Sequence, residues 1–244
     1  MPFVEIKTPC FPDGTIGVSG LVLYKNSQLF EPRSFFYTSL LMLFFMPRFS
    51  QPEKQQVDLQ ADKKALRSYY SGVRNALDSE ERSRASSLIC DVIRSLDEYK
   101  NAEYVAAFSA LGAEPDLSPL FSEKRLFLPR YVADKGVYEM VYVSDVKNDL
   151  VIGKYGVAEP RRELEAAGEE WCRKNLLYLV PAVACDQQGV RLGRGGGFYD
   201  RLLDRCRMPA IGVIFGCQLA ECLPHEEHDI KLAMAVTENG CVRF

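Results

Sequence analysis

Histidine is nearly absent from this chain: of 244 residues only His225 and His228 are histidines, both in the string HEEHD. That string meets neither H-E-x-x-H nor H-x-x-E-H, which argues against a zinc hydrolase. Cysteine is present (Cys10, Cys90, Cys172, Cys185, Cys206, Cys217, Cys222 and Cys241), but no two form a C-x-x-C pair. A zinc framework is therefore excluded, and a chain long enough to bury a full core does not need disulfides. Reduced thiols in a reducing cytoplasm are the expectation. Neither sign of charge is in excess, with 30 Lys and Arg against 33 Asp and Glu, a net charge of -3 and a pI near 5.6. No general attraction to nucleic acid or to anionic membranes follows, so any basic site must be local. A mean hydropathy of -0.13 rules out a multi-span membrane protein. Repeats and low-complexity tracts are missing. Hydrophobic residues at 47% and charged residues at 26% are globular averages, which excludes disorder and collagen-like architectures.

The length suits one α/β domain with an extension. Residues 1–57 read differently from the rest. The run Phe35 to Met46, FFYTSLLMLFFM, is closed by Pro47 and is shorter than the roughly 18 to 20 residues that span a bilayer. It lies far from Met1 and lacks the basic flank and small-residue cleavage site of a signal peptide. Three readings stay open: a hydrophobic anchor, an accessory packing segment, or a start codon taken too early, with Met42 and Met46 as internal alternatives. A loosely ordered extension or a start-site artefact is the expectation.

From Asp58 the pattern becomes regular, and residues 58–244 are expected to form the α/β domain. Leu59, Leu66, Tyr70, Val73 and Leu77 share a helical face. Asp78 and Glu81 form a capping box that opens a second helix, with Ala85, Leu88, Ile89, Val92, Ile93 and Leu96 expected as its buried stripe. Strands are expected at Tyr104 to Phe108, Arg125 to Leu128, Tyr138 to Val143, Ala210 to Phe215 and Ala233 to Thr237. Leu176 to Val183 is a continuous apolar run, as in a strand buried on both faces. A helix is expected from Phe198 to Arg207. Strands alternating with helices predict a largely parallel central sheet flanked by helices, a Rossmann-like three-layer single domain.

The sharpest local signal is Arg191, Leu192, Gly193, Arg194, Gly195, Gly196, Gly197, Phe198, Tyr199 and Asp200, joining a buried strand to a helix. Glycines let backbone N–H groups converge on an anion, and a helix N-terminus adds positive potential. Arg191 and Arg194 can spread charge over phosphate oxygens. The string is neither G-x-G-x-x-G nor G-x-x-x-x-G-K-[ST], so the common dinucleotide and P-loop assignments fail while an anion site stays favoured. Lys63 and Arg67 lie one helical turn apart beside the apolar stripe, and Arg74 continues their line. They form either a basic edge pointing into a cleft or snorkelling cations on a solvated face. Asp200 is either a favourable charge at a helix N-terminus or a hard-oxygen ligand for Mg²⁺. Glu114 follows a strand end, where open α/β sheets place ligands.

Leu179-Val180-Pro181-Ala182-Val183-Ala184-Cys185-Asp186, then Gly189-Val190 and RLGRGGGFYDRLL, resemble the signature of the 5-formyltetrahydrofolate cyclo-ligase family, also called 5,10-methenyltetrahydrofolate synthetases. The similarity extends to Lys63-Lys64-Ala65-Leu66-Arg67, Glu114, Pro129-Arg130-Tyr131, Gly156-Val157-Ala158-Glu159-Pro160 and His228-Asp229, in order across about residues 60 to 240. The resemblance implies ATP-dependent closure of 5-formyltetrahydrofolate to 5,10-methenyltetrahydrofolate, with Mg²⁺ and release of ADP and phosphate. It implies ATP contacts from Lys63, Lys64, Arg67 and Arg191 through Tyr199. Folate contacts are implied for Ser109, Glu114 and Tyr155, and for Arg194 through Phe198. Lys63 and Arg194 would be catalytic, and Asp200 and Asp229 would hold the metal. It supports Lys63 and Arg67 but not Arg74. Gly196 stands where some relatives carry lysine, and Phe198 replaces a more usual tyrosine. Leu232-Ala233 departs from an acidic tail pattern. A non-catalytic nucleotide- or folate-binding module of the same fold is the rival, and a small-molecule kinase a third reading. The expected setting is a cytoplasmic monomer acting on small molecules, with no nucleic-acid partner and no stable membrane association.

Overall fold

The computed structural model describes residues 59–153, 156–168, 171, 175–206, 210–226 and 229–244. The extension with its apolar run, Tyr155 and His228 lie outside the described residues. α1 (Leu59–Ala76) comes first, and Asp78 then caps α2 (Ser79–Ser95). Asp78 Oδ1 accepts from the N–H groups of Glu80 and Glu81, both at 2.8 Å, while Glu81 Oε2 accepts from the Asp78 N–H at 3.1 Å. These bonds satisfy donors that no helical carbonyl reaches. A short α3 (Asp97–Asn101) leads into the sheet.

The chain then runs through β1 (Tyr104–Ala106), β2 (Arg125–Val132), β3 (Val137–Val143), β4 (Leu150–Ile152) and β5 (Ala158–Pro160). Next come β6 (Leu176–Pro181), β7 (Ala184–Asp186), β8 (Arg191–Leu192) and α4 (Phe198–Cys206). β9 (Ala210–Val213), β10 (Leu219–Ala220), β11 (Met234–Thr237) and β12 (Gly240–Arg243) complete it. The central sheet has the order β12-β11-β9-β6-β1-β2-β3. Pairing is parallel from β11 to β2, and an antiparallel partner closes each edge. The expected largely parallel sheet is present.

Burial follows the period of two that a strand imposes. Leu177 and Leu179 join Ile89, Ile93 and Tyr99 of α2 and α3 on one face. Leu176, Tyr178 and Val180 pack with Leu203 of α4 on the other. Layers on both sides explain why this strand is apolar without alternation. The apolar run does not remain one strand to Val183, however. β6 stops at Pro181, which has no N–H for the ladder, and the chain crosses into a second sheet, β10-β7-β8. The carbonyls freed at the crossing, Ala182 O and Val183 O, accept from the buried Gln218 Nε2 at 3.1 and 2.8 Å.

Leu66 and Tyr70 of α1 pack on this small sheet, against Val183, Ala184, Val190, Leu192, Ala220 and Leu223. α1 is thereby fixed beside the carboxyl ends of β1 and β6. From these adjacent strands the order runs outward in opposite directions, to β2 and to β9. A crevice at such a reversal is where open α/β sheets bind ligands. The thiols depart from expectation at one point: Cys90, Cys185, Cys217 and Cys241 are free, but Cys222 is disulfide-bonded, a pairing that cysteine spacing does not reveal. Among the described residues no helix is long and apolar enough to cross a membrane.

The capping box gives a stability prediction. Asp78→Ala should lose about 1 kcal/mol and lower Tm by roughly 2–4 °C for a domain of this size. An unchanged thermal melt would contradict the cap's contribution.

Candidate active site

The crevice is a cleft of about 350 Å³ between the ends of β1 and β6, the glycine loop after β8, and β5. The loop runs from β8 into the first turn of α4, as expected for an anion cradle. Gly195 (φ 96°) and Gly197 (φ 63°) occupy the left-handed region that disfavours side chains. Gly193 answers a different need. A Cβ there would fall 2.7 Å from Arg191 Nη1, so a side chain at this position would push the buried guanidinium aside. Arg191 in turn donates from Nη2 to Asp200 Oδ1 at 2.6 Å, and its guanidinium lies 5.8 Å from the Tyr199 ring centroid. Burial pushes the Tyr199 phenol up, so this ring stays neutral.

α1 meets the loop with its cationic line. Arg67 Nε donates to Gly193 O at 2.9 Å. Lys63 is 6% exposed, and its Nζ donates to Asp229 Oδ2 at 2.7 Å and to Glu226 Oε2 at 2.9 Å. Burial alone would lower the ammonium's pKa, but hydrogen bonds to Asp229 and Glu226 outweigh it and the net shift is upward. Lys63 is a firmly held cation and not a snorkelling one. Lys64, its neighbour, is exposed.

At the other end, Arg194 Nε and Nη2 donate to Glu114 Oε1 at 2.9 and 2.7 Å, and Nη2 also donates to Leu111 O at 3.1 Å. The second Glu114 oxygen accepts from the Leu111 N–H at 3.0 Å. Ser109 Oγ, at the end of β1, donates to Ala158 O at 2.6 Å and ties that end to β5. Glu159 also lines the cleft, and burial pushes its carboxyl up against a smaller opposing pull from the Tyr131 backbone N–H. Tyr138 and Phe198 supply apolar wall, their centroids 4.9 Å apart and tilted by 46°. The missing Phe198 hydroxyl leaves this ring contact intact. Gly196 has no heavy atom within 4 Å of where a Cβ would stand, so neither backbone conformation nor crowding at the Cβ demands glycine there.

The structure places Ser109, Glu114, Arg191, Gly193, Arg194 and Gly196 through Asp200 on the cleft wall; Arg67 meets the loop through Gly193 O, and Lys63 with Asp229 forms an ion pair outside that lining. Arg74, Tyr138, Glu159 and Glu226 are additions that sequence reasoning missed as site residues. Arg74 left a signal in its place on the line of Lys63 and Arg67, and Glu159 in the string Gly156 to Pro160; Tyr138 and Glu226 left none. Asp200 uses one oxygen on Arg191, and Oδ2 has no partner among the described residues. Among those residues no three His, Cys, Asp or Glu side chains cluster as a complete metal-ligand set. Two separate carboxylates suit a hard cation that takes its other ligands from phosphates and water, as Mg²⁺ does.

Comparison with known proteins identifies the family. The 5-formyltetrahydrofolate cyclo-ligase family model matches residues 59–238. 5-Formyltetrahydrofolate cyclo-ligase of Escherichia coli K12 is 30% identical over 172 residues, 67% of this chain and 93% of its own length. The mouse protein of that name is 26% identical, over 75% of this chain and 97% of its own. The NMR structure of Aquifex aeolicus 5,10-methenyltetrahydrofolate synthetase superposes with a TM-score of 0.64 at 35% identity, covering 74% of this chain and 92% of that one. With the family model matching most of the chain and relatives matched over nearly their whole length, this chain belongs to the 5-formyltetrahydrofolate cyclo-ligase family.

Proposed function

We propose that the protein uses MgATP to convert 5-formyltetrahydrofolate into 5,10-methenyltetrahydrofolate, releasing ADP and phosphate. The observation that carries this reading is the span of Arg194. It belongs to the anion-binding loop yet reaches the carboxylate of Glu114, so the phosphate end and the folate end share one cleft.

A formyl oxygen on nitrogen is a poor leaving group and must first be activated. It attacks the γ-phosphorus of ATP, ADP departs, and an iminium phosphate forms at the one-carbon centre. N10 then attacks that carbon and loses its proton, and the C–O bond breaks to release phosphate. Such chemistry asks the protein for alignment and for stabilisation of phosphoryl charge. The loop N–H groups, the α4 N-terminus, Arg194 and Lys63 supply positive potential where that charge develops. Arg67 braces the loop through Gly193 O. Glu114 accepts paired hydrogen bonds from the amino-pteridine edge, and Tyr138 and Phe198 flank the apolar body of the folate. Asp200 and Asp229 would hold magnesium, which when bound offsets the charge of the transferred phosphate. The rings and loop backbone around the reacting carbon limit water, which would otherwise hydrolyse the activated intermediate.

Purified protein should form the methenyl product, followed by its absorbance, only with both 5-formyltetrahydrofolate and ATP, and one ADP should appear per product. Folded protein that binds both ligands and forms no product would favour the binding module. ADP release without ring closure would favour a kinase.

Asp200→Asn should slow turnover about 10²-fold, a loss of roughly 2.7 kcal/mol, with partial recovery at raised Mg²⁺. Because Asp200 is also the anionic partner of buried Arg191, the same variant should lose about 1 kcal/mol of stability. Normal turnover with an unshifted magnesium dependence would take Asp200 off the metal.

A further inference from the structure

Arg74 lies on α1 two turns beyond Arg67 and only 5% of it is exposed. Its Nε and Nη1 are buried and lack a hydrogen-bond partner among the described residues. A carboxylate oxygen, Glu114 Oε1, stands 3.9 Å from Nη1. That same oxygen already accepts two hydrogen bonds from Arg194. Glu114 therefore faces two guanidinium groups on one side, and they differ in kind. The Arg194 side chain is 49% exposed, on a loop that carries positive-φ glycines. Arg74 is buried in a helix and cannot follow it.

Stability does not account for Arg74. A buried guanidinium short of hydrogen bonds weakens folding, and a well-packed apolar side chain in its place is often neutral or stabilising. Strain of this sort persists where function needs it. The proposed reaction supplies the need. When phosphates occupy the loop, Arg194 is drawn to them and away from Glu114. A buried carboxylate left without a cation nearby would change its direction, and a turned carboxylate no longer offers the same pair of acceptors.

We propose that Arg74 is the positioning residue of the folate end: a fixed buried counter-ion that keeps the Glu114 carboxylate in place while Arg194 serves the phosphates. This rests on the reading of Glu114 as a folate contact. Arg74 touches no substrate. It acts through Glu114, and so selects for ligands with paired donors on one edge, as an amino-pteridine has.

The test compares wild type with Arg74→Met, Arg74→Lys and Glu114→Gln in three measurements: thermal melting, direct binding of 5-formyltetrahydrofolate, and steady-state constants for folate and MgATP. Arg74→Met should melt at or above the wild-type temperature, because Arg194 still pairs Glu114 in the free protein. Its folate affinity should fall about tenfold or more, while KM for MgATP stays within about twofold. Arg74→Lys keeps the charge at a site with no bidentate contact to lose, and should recover part of the folate affinity. Arg74→Met that melts lower and weakens both ligands alike would overturn the inference in favour of a packing role. So would unchanged folate affinity, or a lysine variant no better than methionine. If wild type binds folate and Glu114→Gln weakens it while Arg74→Met does not, only the inference about Arg74 fails. If wild type itself binds no 5-formyltetrahydrofolate, the reading of the cleft fails and takes this inference with it.

Discussion

The contact of Leu66 and Tyr70 on the small sheet β10-β7-β8 is the interaction on which the site depends. It fixes the rotation of α1, and so decides where the cations on the neighbouring line of that helix point. Lys63 reaches Asp229 and Glu226, Arg67 reaches a loop carbonyl, and Arg74 stands by Glu114. At 1.5 Å per residue, Lys63 and Arg74 are about 16 Å apart along the helix axis. One rigid helix thus carries cations from the proposed metal end of the cleft to the proposed folate end.

The cleft and the stretch of α1 beside the loop store their charges in pairs. Lys63 with Asp229, Arg191 with Asp200, and Arg194 with Glu114 are each within 2.9 Å. None of these buried or half-buried groups stands alone, which limits the desolvation penalty in the ligand-free protein. Binding of MgATP and folate would exchange partners instead of creating charge contacts from nothing: phosphates for carboxylates on the cations, and metal and pterin donors for cations on the carboxylates. Such an exchange keeps the site ordered before the ligands arrive, which lowers the reorganisation required during phosphoryl transfer. Arg74 stands outside the exchange, and that is why it can hold Glu114 through it.

Much of this fold was legible in the residues. The Asp78 capping box is where expected; in the α2 stripe Ile89 and Ile93 are buried but Leu88 is 43% exposed, and the apolar run holds as a strand only from Leu176 to Pro181. The glycine loop was legible as the turn from a strand into a helix, and Gly195 and Gly197 there take positive φ; its anion-binding role is the proposed one. What stayed hidden depends on contacts between distant segments. The break at Pro181 is stabilised by Gln218, 37 residues further on, so the run reads as one strand until the two sheets are seen. Glu226 looks like a surface acid until α1 brings Lys63 to it. Arg74 reads as a solvated helix cation, because nothing near it in the chain reveals that Glu114 will cover it. Tyr138 sits in a strand whose pattern gives burial but not the ring it meets across the cleft.

The account's central claim is that the formyl oxygen takes the γ-phosphoryl group within this single cleft before N10 closes the ring. Substrate labelled with ¹⁸O in the formyl group tests it most directly, with the released inorganic phosphate analysed by mass spectrometry after one turnover. Transfer of the label into phosphate, one atom per methenyl product, is the predicted result. Unlabelled phosphate, with the ¹⁸O recovered in water, would mean that ATP is hydrolysed separately from ring closure, and would contradict the claim.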